Sequence, residues 1–492
     1  MVSYPFLPHA ILFLTLGWSE WQFIHARASR SRETALTWNQ IRHFHQQPKI
    51  ITAWCQAFGP ALRFLTPRRR RFGLGLAALF VAVQHPWQEL TRITQQGELT
   101  FNVTVSILVV ATLFGFVWLS YLAAKNFAQL PRWIRYHPQI SLHAILWILL
   151  VAVWAWVPRA TTVRSLLAGM VIVLPFVLWR IGYMMFTAQR GKMANTRFID
   201  HLFYCYPVWG GSDTPYGKGS DYLSANEARD DLALAKSQLA GLKLFLLAGL
   251  WAIAKDLMDG VIFSQNNWYR HALGGISPAV PRPADLFAQP ALYSIPLSWA
   301  ALYLDLIRNV LSLAVLGHII VGWLRFFGFN VFRNTYKPLL AESVVEFWNR
   351  YYYYFKELLV NFFFYPTFTR YFKGYPRARI IAAVFAAAFV GNVYFHWLGL
   401  EDTLVRGDIH MMWVALQSRL FYCFLLATGI AVSMLRQRQR LMKNKRPRGI
   451  PGRIAAIFMV WTFFSVIHIW AQDDPATFTD RLRFFLGLIG LR

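Results

Sequence analysis

Three groups of residues in this 492-residue chain have types and spacings that could do chemistry. The first is His396, within Gly391-Asn392-Val393-Tyr394-Phe395-His396-Trp397, directly after the apolar run Ile380–Val390. An imidazole is the natural general base near neutral pH, and burial keeps it neutral and able to accept a proton. The same histidine could equally be structural, bonded to a backbone carbonyl. The second group is Glu346-Phe347-Trp348-Asn349-Arg350-Tyr351-Tyr352-Tyr353-Tyr354-Phe355-Lys356-Glu357. On a helix, Asn349, Tyr352, Tyr353 and Lys356 share one face, and Arg350, Tyr354 and Glu357 share another. Such a stretch either lines a site or forms an interfacial aromatic belt. Arg350 is expected to pair with Glu346 or Glu357 and hold the helix. The third group is Lys243, Lys255, Asp256 and Asp259, whose expected role is to tie a bundle together. Cys55, Cys205 and Cys423 have no metal-ligand spacing and read as small buried side chains; no metal site is expected.

The elements that must position these groups are membrane helices. Hydrophobic residues make up 56% of the chain and charged residues only 15%, against about 25% charged in a soluble protein. That balance excludes a soluble enzyme, a disordered chain and a disulfide-stapled secreted domain. Runs of about 20 apolar residues read as spans at 6–24, 73–86, 103–124, 140–157, 165–187, 238–263, 286–305, 308–327, 380–400, 411–435 and 453–470. The stretch 286–327 reads as two spans or one long bent helix, and 339–366 as re-entrant or protein-buried. The expected fold is therefore all-α and polytopic, with about 11 transmembrane helices plus re-entrant or interfacial helices.

Lys and Arg number 50 against 23 Asp and Glu, a net charge of +27. The cations lie mostly between apolar runs, which argues for topology and anionic lipid rather than nucleic acid. Arg27, Arg30 and Arg32 follow the first apolar run, the pattern of a retained helix rather than a cleaved leader. The loops at 26–72, 125–135 and 436–448 read as cytoplasmic, and 87–102 as external. No phosphate-binding glycine loop and no inverted repeat of broken helices is visible.

The second and first groups together resemble the membrane-bound O-acyltransferase family, in its bacterial branch of D-alanyl-lipoteichoic acid and alginate acetylation proteins. The likeness rests on Gly328-Phe329, Asn330, Asn334, Lys337-Pro338, Phe347-Trp348-Asn349-Arg350-Tyr351-Tyr352 and Phe364-Tyr365-Pro366, followed by Asn392-Val393-Tyr394-Phe395-His396. Weaker likenesses are Tyr206-Pro207-Val208-Trp209-Gly210-Gly211, Gly241-Leu242 through Lys255-Asp256, and Phe463-Phe464 through Ala471. The resemblance runs from about residue 198 to near the C-terminus. It divides the chain into N-terminal transmembrane helices, 1–190, and a core, 191–492.

The resemblance implies a buried histidine in a tunnel through the bilayer. His396 would be the general base. A thioester donor, acyl-CoA or an acyl carrier protein, would enter from the cytoplasm, with no bound cofactor. The acceptor would be a hydroxyl of an envelope glycan, lipid or small metabolite, and a carrier or envelope protein could assist. Tyr352 and Asn349 would be candidates to stabilise the oxyanion, and the loop Ser212–Asp221 would shape the donor entrance. The implied location is a bacterial inner membrane. The chain departs from the family pattern at Tyr352, where the family has His or Asn, at Ala314–His318 in place of Ser-Gly-Tyr-Ser-Asp, and at Trp397 in place of Gly. These departures keep two further readings open: an inactive membrane scaffold, and a transporter or flippase.

Overall fold

The computed structural model describes residues 43–95, 100–155, 161–211, 214–265, 267–275, 278–443, 449–472 and 474–491. Among them there is no β-strand, and eight helices are long and apolar enough to cross a membrane. The eleven expected spans reduce to these eight for three reasons. The run 6–24 lies outside the described residues. The run 73–86 belongs to a helix, Pro67–Gln95, that is too polar over a full span. The runs 286–305 and 308–327 merge into one continuous helix, Ile295–Phe326, which leaves 286–294 outside it.

The first half contains Pro48–Phe64 (α1), Pro67–Gln95 (α2), Val103–Lys125 (α3), Pro138–Ala155 (α4) and Thr162–Gln189 (α5). Helix starts follow local chemistry: Asn102 Oδ1 accepts from the Val105 amide at 2.8 Å, and Thr161 Oγ1 from that of Arg164. Helix α5 is buried along most of its length, with α3 and α4 packed against it. The outer faces of α3 and α4 carry exposed Leu119, Ile140 and Ile148, a surface that suits lipid tails and not water.

The second half begins with a short helix, Phe198–Cys205 (α6), and the antiparallel pair Asp231–Leu257 (α7) and Ile295–Phe326 (α8). These two approach closely. A Cβ at Gly241 would stand 2.7 Å from the Gly322 carbonyl oxygen, so only glycine permits the contact. Then follow Val344–Tyr351 (α9), Tyr353–Leu359 (α10), Pro376–Val384 (α11), Asn392–Leu398 (α12), Ile409–Met442 (α13), Ile450–His468 (α14) and Phe478–Leu488 (α15).

Among the described residues three π-helical turns interrupt the second half, at Met258–Ile262, Val360–Phe364 and Phe385–Gly391. Such turns are rare and concentrate at functional positions. The last two pack against each other. A Cβ on Gly391 would meet the Phe363 ring at 2.6 Å.

Contacts tie helices before residue 190 to segments after it. Arg71 pairs with Asp200 at 3.2 Å and with Glu227. Trp154 Nε1 donates to the Leu404 carbonyl at 2.8 Å, and the Trp179 ring packs on Phe362 and Phe395.

Candidate functional site

His396 stands in the last turn of α12, half-buried, with its ring against Phe395. One turn before it, on the same face, lies Asn392. Asn392 is 1% exposed, and among the described residues neither its Oδ1 nor its Nδ2 has a hydrogen-bond partner. A buried amide left unpaired costs about 1–3 kcal/mol, so its retention beside an imidazole needs a reason. In the sequence Asn392 stands only as part of the motif around His396, with no role of its own. The signal was present: a lone amide after Ile380–Val390, four residues from the histidine.

The opposite face of α12 is fixed. Tyr394 Oη lies 2.8 Å from His143 Nδ1 and accepts from Trp147 Nε1 at 3.2 Å, which ties α12 to α4. Trp397 packs on Trp147 at 4.5 Å between ring centroids. Phe395 faces Phe355 at 4.6 Å, and Phe355 faces Tyr352 at 5.4 Å. Tyr352 and His396 are thus linked by consecutive ring contacts through Phe355 and Phe395.

The expected continuous helix over Glu346–Glu357 does not form. It breaks at Tyr352, with φ −135° and ψ 75°. The cause is the extended segment 334–336, which takes over the helical hydrogen bonds. The Tyr336 amide donates to the Arg350 carbonyl at 2.8 Å, and Thr335 Oγ1 donates to that of Tyr351 at 2.9 Å. The Tyr353 amide donates to the Asn334 carbonyl at 3.0 Å, and the Tyr354 amide to Asn334 Oδ1 at 3.2 Å. The shared face of Asn349, Tyr352, Tyr353 and Lys356 therefore does not exist. Asn349 is exposed on α9, while Tyr352 turns inward to Thr214. The faces containing Arg350, Tyr354 and Glu357 separate in the same way. Arg350 pairs with Glu346 at 2.5 Å.

Tyr352 Oη lies 2.9 Å from Thr214 Oγ1. Either hydroxyl can be the donor in this pair. Thr214 belongs to the glycine-rich loop; Ser212 and Asp213 lie outside the described residues, and Thr214–Ser220 is largely buried. Arg180 on α5 donates to the Gly211 carbonyl, and Asn334 Nδ2 to Tyr216 Oη at 3.2 Å. His201, fully buried beside Ser220 and Thr196, has its imidazole pushed down to about 4 by burial. It is sealed from any substrate and serves to hold the loop.

Lys218 of that loop donates to Glu357 at 2.8 Å and to Tyr353 Oη at 3.1 Å, and Lys356 also pairs with Glu357. Burial opposes both charges, but the shared hydrogen bonds outweigh it. They hold the Glu357 carboxyl below its ordinary value and the Lys218 ammonium above.

The remaining candidates are structural. His318 Nδ1 bonds to the Ala314 carbonyl one turn back, at 2.5 Å. Asp259, in a π-turn, binds Lys255 at 2.7 Å, Arg282 at 3.1 Å and Arg308 at 2.5 Å, while Asp256 is half-exposed beside Lys255. Among the described residues no three His, Cys, Asp or Glu side chains could hold a metal together. Two cavities, of about 170 Å³ and 520 Å³, are lined by other parts of the chain, without His396, Asn392 or Tyr352.

No protein-family model and no curated protein matches the chain.

Proposed function

We propose that the chain is a membrane-embedded O-acyltransferase of the bacterial inner membrane, with His396 as general base. The observation that carries this reading is the polar face of α12, where a wholly buried, unpartnered Asn392 lies one turn from His396. An unpaired amide beside an imidazole suits a site that awaits a polar reactant. The family resemblance at Phe347–Pro366 and Asn392–His396 supplies the reaction class.

The reaction needs no covalent enzyme intermediate. His396 takes the proton of an acceptor hydroxyl as that oxygen attacks the thioester carbonyl. The tetrahedral intermediate collapses, the carbon–sulfur bond breaks, and the imidazolium proton goes to the leaving thiolate. In this reading Asn392 Nδ2 and the Tyr352 hydroxyl would stabilise the oxyanion; one such donor is worth about 3–4 kcal/mol. Asn349, exposed on α9, is not among them. The donor is acyl-CoA or an acyl carrier protein, and the acceptor an envelope glycan, lipid or small metabolite.

The test compares a deletion strain with its parent by mass spectrometry of envelope glycans, lipids and secreted metabolites. Complementation uses wild type and His396→Ala. The expected result is an acyl mass restored by wild type and not by the variant, at equal membrane levels of both proteins. Equal restoration would make His396 structural and favour a scaffold or transporter.

A further inference from the structure

The larger cavity, about 520 Å³, lies where α3 and α5 end, beside the short helix that precedes α4. Its polar lining comes from Lys125 at the end of α3, Gln189 at the end of α5, and Arg132, Arg135 and Tyr136 of the short helix Arg132–Tyr136. No carboxylate lines it. Among the described residues Lys125, Arg132 and Arg135 have no acid within ion-pair distance, whereas Arg190 just outside has Asp221 at 3.8 Å. Arg135 also holds its Nε away from solvent with no acceptor. Three cations around one concavity, one of them with a sequestered and unmet N–H, call for an anion with several oxygens.

The surroundings define which anion. Trp133 and Tyr136 on the same short helix are 61% and 65% exposed, the aromatic pattern of a membrane–water interface. Directly beyond, Ile140 of α4 and Leu119 and Leu122 of α3 present exposed apolar side chains along the spans. A ligand placed here has its charged head among the cations and its tails on those faces. We infer that this cavity is a binding site for the phosphate headgroup of an anionic phospholipid. Headgroup oxygens would bridge Arg132 and Arg135, with Lys125 adding charge. The site is separate from His396 and does not depend on the acyl-transfer reading.

The test uses the purified full-length protein, delipidated in detergent and offered phosphatidylglycerol or phosphatidylcholine. Native mass spectrometry counts the retained lipid. Wild type is expected to retain phosphatidylglycerol over phosphatidylcholine, and the Arg132→Gln/Arg135→Gln pair to retain about tenfold less. Millimolar inorganic phosphate should not displace the lipid. Arg132→Gln alone alters an exposed side chain and keeps the test valid if the double variant does not fold; it too should lower retention. Equal retention by wild type and Arg132→Gln would overturn the inference, as would equal retention of the two lipids. Displacement by inorganic phosphate would overturn it in favour of a soluble phosphate ligand.

Discussion

The polar groups around Asp259 and those on α12 are opposites. Around Asp259 every charge is answered: one carboxylate receives Lys255, Arg282 and Arg308, and the neighbouring Asp305 receives Asn309 at 2.9 Å and Gln472 at 2.8 Å. On α12 the reverse holds, with both polar atoms of Asn392 buried and unpaired one turn from His396. Both clusters adjoin a π-turn, so backbone irregularity alone does not tell a brace from a site. The completeness of the hydrogen bonding does. A saturated network holds helices together, and an unsaturated one leaves room for a reactant.

The sharpest way to break this comparison is to unsaturate the brace. Asp259→Ala leaves three cations around an empty position and is expected to cost about 3–5 kcal/mol of stability, as for any buried pair stripped of one partner. Thermal unfolding in detergent reads this directly; an unchanged midpoint would remove Asp259 from the brace. Next comes Tyr352→Phe, which keeps the ring packing on Phe355 and deletes the hydroxyl. Acyl transfer is expected to fall roughly ten- to a thousandfold without loss of stability if Tyr352 donates to the oxyanion. An unchanged rate would return Tyr352 to an aromatic-packing role.

Asn392→Leu tests the unsaturated cluster with the opposite signature. Replacing an unpaired buried amide by a side chain of similar size should leave the unfolding midpoint equal or higher, while acyl transfer falls roughly ten- to a thousandfold. A lower midpoint with unchanged turnover per folded molecule would show that the amide is a structural group.

The smallest effect concerns pH. Glu357, held below its ordinary value by Lys218 and Lys356, adds stability that is complete above about pH 4.3 and lost as pH falls through its lowered value. Lys218, held above its ordinary value, contributes fully below about pH 10.4 and loses this as pH rises through its raised value. Glu357→Gln should flatten the acid limb of the stability profile. A limb of unchanged slope would place the acid sensitivity elsewhere.

Much of the bundle was legible in the sequence because span length and apolar content are local properties. So was the ion pair of Arg350 with Glu346, since a spacing of four fixes it within one helix turn. The break at Tyr352 was not legible. No glycine or proline marks it, and its cause, Asn334–Tyr336, is remote in sequence and acts by intercepting backbone hydrogen bonds. For the same reason Asn349 and Tyr352 read as neighbours on one face when they are not. The isolation of Asn392 was also hidden, because the absence of a partner depends on everything packed around it.

The length of α8 has a consequence for where the brace sits in the bilayer. Arg325 at its basic end and Arg308 in the Asp259 cluster are separated by about 26 Å along the helix axis, at 1.5 Å per residue. A hydrocarbon core is about 30 Å thick. With Arg325 at one boundary, Arg308 and Asp259 reach close to the other. The brace is then a rim fastening whose hydration is set by membrane thickness. A thinner bilayer bathes it in headgroups and weakens its charge pairing, and a thicker one draws it into the acyl chains and tightens it. On that placement the lipid composition around the protein would be one of the terms in its stability.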